Sequence, residues 1–456
     1  MATDEENFMM SREQLSPYGK LAICAVTLGG FLFGFYAAVI SGALCFICRH
    51  FSLSTMHEAT IVSVLLLGAC IGTLAAGYLT DRVGRKKTII ISALFFLCGA
   101  LVFVYASKFS YLIIGRTLAG FAIGLVSVSV PLYLSEISPP HARGKIVALN
   151  TLAIAVGIFF SYGVNYYFSP TEDWRTMFGI GVIPAAILFG AMLFLPETPE
   201  WLISHRGVEK TKKALRWLRN DKLWEARIDE MKNAAVSAKA NTEHRLFTPA
   251  LKFPLIVGVM MHVFQQITGF NGVIYFAPKI FASAGFDLTS TAVLATMGIG
   301  AVNFLATFVA LRFIDRAGRR PLLLIGIAGM ALSLIGLSAA FYFDSPFIGI
   351  ISFVCILAYV GFFAIGLGPI PWLLISEIYP LSVRGKAMSI AALANWFFSF
   401  LVAQIFLGMI NVFGSEGTFF LFATLSLLAL FFVYQYVPET KGKSLEEIAL
   451  QMRRRA

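Results

Sequence analysis

Twelve apolar stretches, each near the length that crosses a roughly 30 Å hydrocarbon core, leave this 456-residue chain few folds to choose from. They lie near 19 to 47, 59 to 79, 88 to 107, 110 to 134, 145 to 168, 176 to 195, 253 to 283, 289 to 313, 321 to 343, 347 to 376, 386 to 411 and 417 to 437. Inside a bilayer every backbone N–H and C=O must find a partner within the protein, and runs of this length do so as helices. Only 13% of the residues are charged and mean hydropathy is +0.78, which excludes a soluble globule, whose charged share is about twice that. The expected class is an all-α polytopic membrane protein.

A net charge of +11 would suit a nucleic-acid partner, but its distribution argues against one. Counted by alternate sides of the spans, 31 of the 36 Lys and Arg residues fall on one side. The positive-inside rule makes that side cytoplasmic and puts both termini there, in an inner or plasma membrane. Arg49, Lys108, Arg175 and Lys279 lie on the other side, and Arg116 alone sits within a span. Met1 to Pro17 has no basic n-region followed by a cleavable apolar core, so the first span is expected to be retained. All six cysteines lie in or at the ends of spans and read as buried small hydrophobes. Cys45 and Cys48 have C-x-x-C spacing, yet no second Cys or His pair completes a zinc site. The absence of an Asn-x-Ser/Thr sequon, with short outer loops, leans towards a bacterial source.

One long polar segment, 196 to 252, divides the chain into a tail (1 to 18), six spans (19 to 195), the linker itself, six more spans (253 to 437) and a second tail (438 to 456). Ala214-Leu215, Trp217-Leu218, Trp224 and Ile228 recur at helical spacing in the linker, which reads either as short amphipathic helices on the membrane surface or as a solvated charged tether. The two halves echo each other. Asp81-Arg82-Val83-Gly84-Arg85-Lys86 returns as Asp315-Arg316-Ala317-Gly318-Arg319-Arg320, at an offset of 234. Glu136 with Arg143-Gly144 returns as Glu377 with Arg384-Gly385, and Pro196-Glu197-Thr198 as Pro438-Glu439-Thr440. Such an internal repeat implies two pseudo-symmetric six-helix halves, the architecture in which transporters enclose a central site and rock about it.

Span seven carries the polar groups that most need a reason: Gln265, Gln266, Asn271 and Tyr275. Amides in hydrocarbon face a neighbouring helix or a wet cavity. On an unbroken helix Gln266 lies about 140° from Asn271, so the two converge only if the helix loosens at Thr268-Gly269-Phe270, and glycine permits that. The amides then serve either as a binding site or as glue between helices. In span ten, Gly368-Pro369-Ile370-Pro371 precedes Trp372 and predicts a bend.

These residues resemble the sugar porters of the major facilitator superfamily, from about Leu28 to Glu447. The motifs that carry the resemblance are Gly115-Arg116, Pro131-Leu132-Tyr133-Leu134-Ser135-Glu136, Pro196-Glu197-Thr198-Pro199, Gln265-Gln266 with Asn271, Gly366-Leu367-Gly368-Pro369-Ile370-Pro371-Trp372, and Val437-Pro438-Glu439-Thr440-Lys441-Gly442. The resemblance implies twelve helices, a monosaccharide substrate, alternating access and no cofactor. It places sugar ligands on Gln265, Gln266, Asn271, Asn303 and Asn395, and aromatic platforms on Trp372 and Trp396. It also implies a latch on the cytoplasmic side, where Arg82, Arg85, Arg316 and Arg319 meet Glu136, Glu197, Glu377 and Glu439, with Asp81, Asp315, Arg143 and Arg384 in the same clusters. The expected working unit is a single chain.

Three departures set this chain apart. Thr151 follows Asn150 where the family commonly has Gln. Glu200 stands where the Pro-Glu-Ser-Pro-Arg motif has its cation. Gly34-Phe35-Tyr36 occupies the place of Gly-Tyr-Asp, so the carboxylate that partners Arg116 in proton-coupled members is missing, and Arg116 is expected to be met by the Tyr36 ring or hydroxyl, or by water. All 25 acidic residues read as tail, loop or helix-end positions. The expectation is therefore a monosaccharide transporter working by facilitated diffusion. Proton symport through another group, His262 being the candidate, and a sugar sensor without turnover are the alternatives. A membrane-embedded enzyme is disfavoured, since His262 has no carboxylate pair or metal cluster with it.

Overall fold

The protein, a computed structural model, is described here for residues 15–139, 142–218, 228, 249–286, 291–343, 346–379, 383–443 and 447–448. Helix α1 (Pro17–Phe51) begins at a Ser16 cap whose Oγ accepts from the Gly19 N–H at 2.9 Å, with Pro17 in the first turn where no N–H is needed. Helix α2 (Thr55–Arg82) starts at a Ser54 cap and is followed by α3 (Arg85–Val104), α4 (Phe109–Ile137) and α5 (Arg143–Phe168). A broken sixth span, α6 (Trp174–Gly179) and α7 (Val182–Phe194), completes the first half.

The second half opens with another broken span, α10 (Pro249–Ile267) and α11 (Phe270–Ser283), and continues with α12 (Thr291–Ala317) and α13 (Arg319–Tyr342). The tenth span is split into α14 (Ile348–Ile365) and α15 (Ile370–Ile378). Helix α16 (Arg384–Tyr436) is long enough for two spans, and Gly414, at φ 70 and ψ 174, divides it where the sequence places a turn. Twelve spans in two sets of six are thus in place. The halves meet along two seams, α2 against α16 and α5 against α12.

Packing inside each half relies on small residues. A Cβ at Gly120 would stand 2.0 Å from the Leu65 carbonyl oxygen, and one at Gly72 would stand 2.2 Å from that of Phe121. The paired Gly68-x-x-x-Gly72 and Gly120-x-x-x-Gly124 stripes let α2 and α4 pack backbone to backbone. Large apolar side chains such as Leu74, Leu305, Ile350 and Phe431 point outwards, as lipid contact requires. The cysteines depart from expectation: Cys24 and Cys98 are exposed and the other four are only partly covered, because they sit on outward or seam-facing helix stripes.

Between the halves, α8 (Pro199–His205) and α9 (Val208–Leu218) form the described part of the linker; Trp224 lies outside it. The Ser16 N–H donates to Leu218 O at 3.1 Å, Ser16 Oγ donates to Trp217 O at 2.6 Å, and the Trp217 and Tyr18 rings stack at 5.1 Å. Leu215 packs with Ile228. The α9 helix is therefore docked on the start of α1, which favours the amphipathic-helix reading over the tether.

The echoed loops take the same geometry twice. Gly84 (φ 104, ψ 160) and Gly318 (φ 93, ψ 160) precede α3 and α13. Glu197 Oε1 accepts from the backbone N–H groups of Lys86 at 2.9 Å and Thr198 at 3.0 Å. Glu439 does the same for Arg319 at 3.1 Å, Arg320 at 3.0 Å and Lys441 at 2.8 Å. A Cβ at Gly84 would collide with Glu197 Oε2, so glycine serves both the backbone angle and the carboxylate's approach. This adds to the expectation: Glu197 and Glu439 cap helix N-termini, where a negative charge meets unpaired N–H groups.

The two caps respond oppositely to protons. Burial pushes the Glu439 carboxyl up, but the N–H groups of Lys441, Arg319, Arg320 and Thr440 outweigh it and hold the group below its ordinary value of 4.5. Its stabilising contribution is present above that value and is lost as pH falls through the lower folded one. At Glu197 burial wins over the N–H donors and Arg85, raising the carboxyl above 4.5, so its ionised form costs stability as pH rises past that point. We expect Glu439→Gln to destabilise the protein by about 1 kcal/mol near neutral pH and to flatten the loss of stability below about pH 4.5. Glu197→Gln should leave neutral-pH stability unchanged or raised. Thermal unfolding in detergent across a pH series separates the two.

Candidate functional site

The α10–α11 break falls where the sequence places it. Gly269 adopts φ 96, and the side chain of any other residue there would strike the Phe422 ring, 2.6 Å from a Cβ. The turn swings Asn271 back over the end of α10, so that its Nδ2 donates to Gln266 Oε1 at 2.7 Å and to Ser399 Oγ at 2.6 Å. Gln266 Nε2 in turn donates to Asn395 Oδ1 at 2.7 Å. Ser399, Asn271, Gln266 and Asn395 thus make one hydrogen-bonded chain across α10, α11 and α16. Asn271 remains partly exposed while the other three are buried.

Gln265 plays a different part from its neighbour. Its Nε2 donates to the carbonyls of Leu367 at 2.6 Å and Gly368 at 2.9 Å, the backbone released where α14 stops and α15 begins. Its Oε1 is buried and has no hydrogen-bond partner. The bend before Trp372 is present, with Gly366 at φ −104 and ψ −92 and Pro369 at the start of α15. Trp372 is 36% exposed and meets the His262 ring edge-on at 4.7 Å. Trp396 is only 5% exposed and lies 5.6 Å from Phe33 of α1, its indole N–H without a partner. His262 Nδ1 sits 3.0 Å from Gly258 O, and its Nε2 is buried without a partner. Asn303 is buried on α12, and Thr151 is partly exposed on α5.

Arg116 is met neither by the Tyr36 ring nor by its hydroxyl. Its Nη1 donates to the Tyr36 backbone carbonyl at 2.7 Å and its Nε to the Ile61 carbonyl at 3.2 Å, while Phe178 offers a ring face at 5.9 Å. The Tyr36 ring turns away and stacks on Phe96 at 5.1 Å. The correction has a simple cause: α1 and α2 approach α4 closely enough for backbone carbonyls to reach the guanidinium first.

At the end of the bundle that carries the linker, Arg85 Nη2 meets Glu136 at 2.9 Å and Arg319 Nη2 meets Glu377 at 3.0 Å. Asp81 stands 3.8 Å from Arg85, and Thr440 Oγ1 donates to Glu377 at 2.5 Å. Each of these pairs lies within one half. Arg82 instead covers the Tyr78 ring at 4.7 Å, while Arg316 and Arg143 are exposed. The side chains of Asp315 and Arg384 lie outside the described ones.

At the opposite end, contacts cross between the halves. Ser41 Oγ donates to Ile274 O at 3.0 Å, Ser63 Oγ to Gln404 Oε1 at 2.5 Å, and Lys279 pairs with Glu58. A Cβ at Gly300 would stand 2.7 Å from the Tyr162 ring, so α5 and α12 are also pressed together there. The far end is shut. Glu58 is at a helix end, in the first turn of α2, but it is 9% exposed, as buried as Glu136. Ser399 was missed; it lies one helical turn beyond Asn395, and that spacing was the available signal. Among the described residues no cluster of three or more His, Cys, Asp or Glu side chains is placed to hold a metal.

Comparison with known proteins agrees with this geometry. The family described as sugar (and other) transporter matches residues 21–451. The chain is 37% identical to the glucose transporter GlcP of Staphylococcus epidermidis over 434 residues, covering 94% of this chain and 96% of that one. It is 35% identical to the galactose-proton symporter of Escherichia coli, covering 92% and 91%. The inward-open structure of the xylose transporter XylE from E. coli superposes with a TM-score of 0.82 at 31% identity, covering 95% of this chain and 99% of that one. Broken spans seven and ten, two echoed six-helix halves and these matches together make this chain a member of the sugar transporter family of the major facilitator superfamily.

Proposed function

We propose that this protein carries a monosaccharide across the membrane by alternating access and by facilitated diffusion, as a single chain with both termini in the cytoplasm. The observation that carries the reading is the hydrogen-bonded chain Ser399–Asn271–Gln266–Asn395, set at the α10–α11 break of the second half. An amide both donates and accepts, as a sugar hydroxyl does, so each bond in the chain is one that a hydroxyl can replace. The exposed face of Trp372 suits the C–H face of a sugar ring. Gln266, Asn271, Asn395 and Trp372 are the core of the proposed site. Gln265 supports it from behind through Leu367 and Gly368, and Asn303, Trp396 and Thr151 lie on the surrounding helices.

With the linker end read as cytoplasmic from its basic residues, the closed far end means that this state is not open to the outside. Because Arg85–Glu136 and Arg319–Glu377 are already formed in it, these pairs act by stiffening the loop of each half, which then moves as a unit. Against proton coupling stands Arg116, held by two backbone carbonyls with Tyr36 in place of a carboxylate. Proton coupling needs a group in the path that gains and loses a proton during the cycle. One observation favours the symport alternative: the buried Nε2 of His262 has no partner, beside Trp372.

Gln266→Ala is expected to weaken sugar binding by about 1 to 3 kcal/mol, since it leaves Asn395 and a sugar hydroxyl unpaired; titration of the purified variant with glucose, galactose and xylose measures it. In liposomes, sugar should equilibrate without accumulating under an imposed pH gradient. Accumulation that disappears in His262→Gln would replace the facilitated-diffusion reading with symport.

A further inference from the structure

The far-end closure holds a charged element that the sugar site does not use. Glu58 lies in the first turn of α2, its N–H bonded to Ser54 O at 3.0 Å. Lys279 lies one turn beyond Tyr275 on α11, the half-helix that the Gly269 break frees from α10. The two side chains form an ion pair across the halves. Cys48 of α1 lies against Glu58, and at the same end Arg49 and Glu172 pair with each other at 2.5 Å within the first half. Beside the ion pair a cavity of about 170 Å³, lined by Thr55, Lys279, Ser283 and Asn411 among others, reaches the ammonium. Lys279 therefore keeps part of its hydration, its side chain 37% exposed, while the Glu58 side chain is 11% exposed.

We propose that Glu58 and Lys279 are gating residues: their ion pair holds the halves together at the far end and must separate each time the site opens to that side. The placement is what gating requires. The pair joins the first turn of α2 in one half to the short half-helix α11 of the other, next to the Ser41–Ile274 and Ser63–Gln404 bonds that also cross. A contact made in only one conformation biases the equilibrium by its own free energy. The unequal burial sets an order. Lys279→Met strands a buried carboxylate in the closed state, whereas Glu58→Gln leaves a partly hydrated ammonium, so the first should open the far end more than the second.

The proposal rests on the alternating-access reading, but its test reads conformation and not flux. With the six native cysteines replaced by Ser, Ser41→Cys reports opening through its labelling rate with a membrane-impermeant maleimide. Glu58→Gln should speed labelling by about fivefold or less and Lys279→Met by about tenfold or more. The exchanged pair Glu58→Lys with Lys279→Glu should return it towards the parent rate. Glu58→Gln is nearly isosteric and keeps the experiment readable where the exchange fails to fold. Equal rates in the parent and both single variants overturn the proposal, as does an exchange that folds and labels as fast as the single variants. Loss of Ser41→Cys labelling in every protein, with sugar still carried, would overturn it too.

Discussion

A broken helix inside a membrane exposes backbone carbonyls that no water is there to bind. In this protein that constraint is met by Gln265, whose amide donates to both Leu367 and Gly368 where the tenth span stops and restarts. One break thus satisfies the other: α10 ends at Gly269 and supplies the side chain that covers the gap between α14 and α15. The choice between glue and ligand for the amides of span seven divides between neighbours. Gln265 is bonded to backbone, and Gln266, one residue on, is bonded to the side chains of Asn395 and Asn271.

The two ends of the bundle are built on different chemistry. At the linker end, carboxylates either cap helices or pair with arginines inside their own half, so these contacts survive when the halves rock. At the far end the contacts run between halves and are lost on opening. A transporter needs both kinds. Rigid halves make the motion a rotation about the site, and breakable contacts of modest strength let it proceed, since a contact worth many kcal/mol in one state would trap the protein there.

Spans, halves and helix breaks were legible in the sequence because each follows from local chemistry: apolar length, a repeated Asp-Arg-x-Gly-Arg loop, and glycine or proline inside an apolar run. Gln266 and Asn271 stood out for the same reason, being polar where lipid forbids polarity, whereas Asn395 was marked only by the family resemblance and is joined to Gln266 by a hydrogen bond. What local chemistry does not contain is which of several partners is nearer. The family resemblance pairs Glu197 and Glu439 with arginines, whereas the fold brings helix N-termini to them. Arg116 was to meet the Tyr36 ring or hydroxyl, or water, and meets the carbonyls of Tyr36 and Ile61. Glu58 was put outside the membrane because α2 starts four residues before its apolar run, and only the opposite half reveals that this turn is covered.

Arg116 shows what the missing carboxylate entails. A buried guanidinium beside an aspartate would form a pair whose strength changes when a proton arrives, and that change is what couples a proton to a conformation. Beside two carbonyls it meets acceptors that do not titrate, and its Nη2 is left without a partner. The arrangement is costly, since neutral acceptors offset less of the desolvation of a buried charge than an anion does. A chain that keeps the arginine and has tyrosine in place of the acid therefore retains a cation that ties α4 to α1 and α2 through backbone acceptors.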